Sequence, residues 1–92
     1  MRILTCDKLE DCIDGSSTFE YLFNVPWTPE AITRLDGLGH LEYFSHLPRP
    51  YFRITTPDGL RISGVVGDDL CQATFPARDK ALCRQEFERR FA

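Results

Sequence analysis

Tyr51-Phe52-Arg53-Ile54-Thr55-Thr56-Pro57-Asp58-Gly59-Leu60-Arg61-Ile62-Ser63-Gly64-Val65-Val66 is the stretch that decides the fold of this chain. Tyr51–Thr56 is rich in aromatic and β-branched residues and reads as a strand. Pro57 presets φ and Gly59 accepts a positive one, so Pro57-Asp58-Gly59 closes a tight hairpin turn. Leu60–Val66 then returns as a second strand, with Leu60, Ile62 and Val66 on one side.

The same logic extends outward. Downstream, Gly67-Asp68-Asp69 is another turn and Leu70–Phe75 a weaker strand. Upstream, His40–Leu47 reads as a strand closed by Pro48 and Pro50. Phe19–Val25 alternates best, with Phe19, Tyr21, Phe23 and Val25 on one face, Glu20 and Asn24 on the other, and Leu22 as the exception. Arg2–Cys6 reads as a short strand. Asp7–Thr18 is polar and holds the turn signal Asp14-Gly15-Ser16-Ser17, so residues 1–18 are expected to be a loosely attached strand and loop.

Two helices complete the pattern. Thr28-Pro29-Glu30 supplies a hydroxyl cap, a proline at the first helical position and an acid at the positive end of the dipole. Ala31, Ile32 and Leu35 give that helix an apolar face over two to three turns, and Gly37 and Gly39 stop it. Pro76 opens a second helix running to about Phe91, with Cys83, Phe87 and Phe91 in one stripe. The expected architecture is a single α+β domain over residues 1–92. It is a two-layer sandwich whose mostly antiparallel sheet of four to five strands carries two helices packed on one face, in the order β-α-β-β-β-α.

Composition supports a packed core and narrows the function classes. Apolar residues make up 42%, including seven Phe, three Tyr and Trp27, which argues against disorder. The net charge is −3, and nucleic-acid binders draw affinity from a basic excess, so nucleic acid is not an expected partner. Met1–Glu20 holds five acids and two bases, whereas Ala77–Ala92 holds five bases and three acids. Two solvated faces account for that asymmetry more simply than a binding patch. No stretch reaches the ~20 apolar residues that span a bilayer, and the first residues lack a signal peptide's apolar region. The expectation is a cytoplasmic protein with no membrane partner.

Cys6, Cys12, Cys71 and Cys83 are expected as reduced thiols, buried as small hydrophobes. Their spacings, five residues between the first pair and eleven between the second, are not those of a zinc site. His40 and His46 lie ~20 Å apart on an extended strand, too far for one metal. No metal site and no cofactor are expected. A calcium loop centred on Gly15 fails because Cys12 and Tyr21 stand where acids are needed. Gly37-Leu38-Gly39 follows a helix and precedes a strand, the reverse of a dinucleotide loop.

What remains is a surface. On a strand, His40, Glu42, Phe44 and His46 share one face, and Leu41, Tyr43 and Ser45 the other, more core-like one. The first set is the candidate binding face, pointing away from the helices and placing Phe44 in water unless something covers it. Arg49, Arg53 and Arg61 cluster around the Pro57–Gly59 hairpin, where an ordinary wet surface explains them. No catalytic residue is assigned, and the balance leans away from an enzyme. The expected function is that of a small accessory or interaction domain acting through a protein partner or a homodimer. The alternative is a thiol- or small-ligand-dependent binding or redox function using Cys6, Cys12 or the His40/Glu42/His46 row.

Overall fold

Strand β4 (Tyr51–Thr55) and strand β5 (Arg61–Val65) pair antiparallel around the expected turn, in a computed structural model that describes residues Met1–Phe91. Gly59 takes the positive φ, 99°, that the turn requires. Thr56 adds a clamp, accepting Leu60 N–H on its hydroxyl at 3.1 Å while its own N–H donates to Leu60 O at 2.9 Å.

Around this hairpin stand β1 (Ile3–Asp11), β2 (Ser17–Phe23), β3 (His40–Phe44) and β6 (Leu70–Phe75), giving a six-stranded antiparallel sheet in the order β1-β2-β6-β5-β4-β3. Helix α1 (Pro29–Thr33) and a 3-10 turn over Asp36–Leu38 carry the chain from β2 to the far edge. The meander β3-β4-β5-β6 then returns until β6 meets β2. Helix α2 (Lys80–Arg89) closes the chain.

The fold is the expected α+β class, but the sheet is larger and its order differs from the expected four to five strands and β-α-β-β-β-α sequence. The added length lies in the polar stretch Asp7–Thr18, read from composition as mostly loop. There β1 runs on to Asp11, pairing Glu10 with Thr18 and Asp11 with Ser17. An edge strand with exposed side chains needs no apolar alternation, so hydrophobic patterning cannot find it. Other boundaries shift for local reasons. β3 stops at Phe44 rather than Leu47, because Ser45–Pro50 turns the chain and Pro50 spends its carbonyl on Val66 N–H at 2.8 Å. α1 is only five residues, although Thr28 caps it by accepting Ala31 N–H at 3.2 Å. α2 begins at Lys80 rather than Pro76, since Asp79 takes a left-handed φ of 55° to turn the chain off β6.

The core faces one side of the sheet. Phe19, Tyr21 and Phe23 of β2 bury there with Cys71, Ala73 and Phe75 of β6, Ile62 of β5, and Phe52 and Ile54 of β4. Ile32 and Leu35, and Cys83, Phe87 and Phe91 from α2 and its end, cover them. Trp27, in the loop before α1, packs edge-on against Phe23 at 5.2 Å and Phe52 at 4.8 Å and donates its indole N–H to Leu70 O at 3.1 Å. Gly64 allows this, because a Cβ there would meet the Phe52 ring at 2.8 Å.

Candidate functional site: the uncovered sheet face

Strand parity fixes what the other face presents. One row crosses all six strands as Glu42, Arg53, Ser63, Gln72, Glu20 and Asp7. A second runs His40, Thr55, Arg61, Thr74, Thr18 and Glu10. A third is the most apolar, with Phe44, Tyr51 and Val65 at the β3 end and Leu70 and Leu22 further along. No helix covers these positions. Arg53 and Arg61 stand on β4 and β5, with Arg53 already paired to Glu42 on β3, while Asp7, Glu10 and Glu20 stand on β1 and β2, so both arginines lie on one side of the face and the other side is acidic.

The face is also hollow. Glu10, Thr18, Arg53, Arg61 and Gln72 line one depression of about 290 Å³. In a flat sheet β1 and β4 would lie four strand spacings, ~19 Å, apart. Glu10 of β1 and Arg53 of β4 both line this hollow, their long side chains covering much of that distance. Within it the Thr18 and Thr74 hydroxyls hydrogen-bond at 3.0 Å. Glu42 accepts both Nε and Nη2 of Arg53, at 3.1 and 3.0 Å, a geometry that fixes the guanidinium plane.

The four residues singled out from the sequence do not form one group. His40 opens β3 opposite Thr55, while Glu42 binds Arg53 in the middle row. His46 lies beyond the strand, yet its ring stands 6.3 Å from that of Phe44. Phe44 is half-buried rather than bare in water: Tyr51 packs at 5.6 Å and the Arg53 guanidinium lies 5.9 Å from its ring. The chain thus covers one side of Phe44 itself. Arg53 and Arg61, read as ordinary surface, line the hollow. Their signal was parity across the turn, since Arg53 pairs with Ser63 and Thr55 with Arg61. The acids of β1 carried no such signal.

Of the thiols, half-buried Cys12 lines this same hollow, and the other three sit elsewhere. All four cysteines are free. Burial pushes the Cys71 thiol up to about 12. Burial, then the charge of Asp58, pushes Cys83 up to about 11. Both stay protonated at neutral pH, which removes them as nucleophiles. Cys83 lines a groove of about 570 Å³ between α2 and the β4–β5 turn, together with the apolar Leu38, Leu60 and Phe87 and the charged Asp58 and Arg90. Cys6 is half-buried, with Arg84 Nη2 at 3.5 Å. That guanidinium is already engaged: Nε donates to Glu88 at 2.9 Å and the group stacks 4.3 Å from the Phe19 ring. Tyr21 donates its hydroxyl to the same Glu88 oxygen at 2.8 Å, and burial, then this bond, raises its pKa. The cluster ties β1 and β2 to α2. Among the described residues no three of His, Cys, Asp or Glu converge so as to hold a metal ion. Among the described residues no helix is long and apolar enough to cross a membrane.

Comparison with protein families, curated proteins and solved structures finds no match for this chain.

Proposed function

We propose that this chain is a small accessory domain that acts through a protein partner or a second copy of itself, and that it does so with the uncovered sheet face and its β3 margin. One observation carries the reading: a hollow face, with Arg53 and Arg61 on one side and the acids of β1 and β2 on the other, ends in the aromatic pair Phe44–Tyr51. Protein interfaces concentrate aromatic side chains and arginine, the rings supplying affinity and complementary charges setting orientation. The Glu42–Arg53 pair is already aligned, which lowers the ordering cost of binding.

Phe44→Glu tests this. Phe44 lies outside the buried core, so the variant keeps its fold by circular dichroism. It loses at least tenfold in self-association by sedimentation, or loses the partners that wild type captures. A folded variant with unchanged association and unchanged partners would refute the reading.

A further inference from the structure

We infer that the partner at this margin is a second copy of the chain, added edge to edge at β3. The inference rests on the proposed reading and names its occupant.

Main-chain geometry carries it. Thr56 N–H donates to Leu60 O at 2.9 Å and Val66 N–H to Pro50 O at 2.8 Å, so the even-numbered residues of β4 turn their backbone groups toward β5. Arg53 and its odd-numbered neighbours therefore serve β3, where Arg53 pairs with Glu42. Alternation then leaves the N–H and C=O of Leu41 and Tyr43 pointing off the sheet, and no turn, loop or cap bond among the described residues uses them.

The two edges of the sheet are treated differently. β1 carries register shifts between Ile3 and Thr5 and between Lys8 and Glu10, and it is rich in acids. Bulges and charges are how edge strands resist pairing. β3 has no bulge, no proline and no lysine, and Tyr43 is 41% exposed on it. A two-fold axis through Glu42 sets Leu41 opposite the partner's Tyr43, so the outward groups meet in four hydrogen bonds, two at each end. The same axis joins apolar Leu41 to Tyr43 on the helix side and aromatic His40 to Phe44 on the other. The central row becomes Arg53, Glu42, the partner's Glu42 and the partner's Arg53, whose charges sum to zero. Such an interface closes on itself and leaves β1 blocked, which gives a dimer and not a fibre.

Sedimentation equilibrium on the full chain decides. Wild type is expected to dimerise reversibly. Tyr43→Pro removes an outward N–H while leaving the β3–β4 ladder intact, and raises the dimer Kd at least tenfold. Tyr43→Lys, which keeps the backbone donor and puts a gatekeeping charge at the edge, does the same and covers any loss of folding in the proline variant. Glu42→Gln removes the like-charge contact at the axis and tightens the dimer about two- to fourfold. A wild type that stays monomeric at millimolar concentration would overturn the inference, as would a dimer indifferent to both Tyr43 variants. If Phe44→Glu still disrupts that indifferent dimer, the uncovered face stands and only the edge is lost. Loss of a foreign protein from monomeric wild type on Tyr43→Pro would give the edge to another chain's strand, and would also overturn it.

Discussion

Phe87 meets three other rings, Tyr21 at 5.0 Å, Phe75 at 5.8 Å and Phe91 at 5.2 Å, and is 2% exposed. Truncating such a residue to Ala removes its transfer energy and leaves a cavity, typically costing ~3–5 kcal/mol. A domain of this size holds ~5–15 kcal/mol in total. Phe87→Ala is therefore expected to lower the urea midpoint drastically or to unfold the domain at 25 °C, and a midpoint equal to wild type would mean α2 is peripheral. The Cys83/Phe87/Phe91 stripe was legible because helical periodicity alone puts those residues on one side. Trp27 was not. It lies in a loop, and only the distant contacts with Phe52 and Leu70 reveal it as a core residue.

At the scale of elements, the β4–β5 hairpin was legible because its turn residues and its strands agree. At the β1–β2 hairpin the turn signal was legible but the run of β1 on to Asp11 was not, since side-chain hydrogen bonds hold that end rather than an apolar pattern. Asp14 accepts both the hydroxyl of Ser16, at 2.7 Å, and its N–H, at 2.9 Å, and Asp11 accepts Ser17 Oγ at 2.6 Å. Hydrogen bonds from Ser16 hold Asp14, and those from Ser17 and Lys8 hold Asp11, below the ordinary carboxylate value of 3.8. A carboxylate depressed in the folded state stabilises it above the unfolded pKa and loses that contribution as pH falls through the folded value. Amide protection at Ser16 and Ser17 is thus expected to fall below about pH 4, ahead of protection in β5 and β6. Asp14→Asn should flatten part of that dependence. Equal loss across all strands would show that the hairpin has no separate acid response.

For the whole molecule, the one-sided packing followed from two amphipathic helices and alternating strands, but on β3 the expected split is weak, since Tyr43 of the core-like set is 41% exposed while Glu42 and Phe44 are half-buried. Neither the meeting of β1 and β4 side chains in one hollow nor the placing of its charges could be read, because both depend on strand order. β1 and β4 face the same hollow only once β2, β6 and β5 lie between them. Binding at the uncovered face is distinguishable from binding in the groove beside α2, because the two are lined by different residues. Amide and side-chain NMR shifts, followed as protein concentration rises or as captured partner is added, separate them directly. The predicted result is movement confined to Phe44, Tyr51, Arg53 and Arg61 and to the β3 edge at Leu41 and Tyr43, with Leu38, Cys83 and Arg90 still. Movement at Leu38, Cys83 and Arg90 with a silent Phe44 would contradict it.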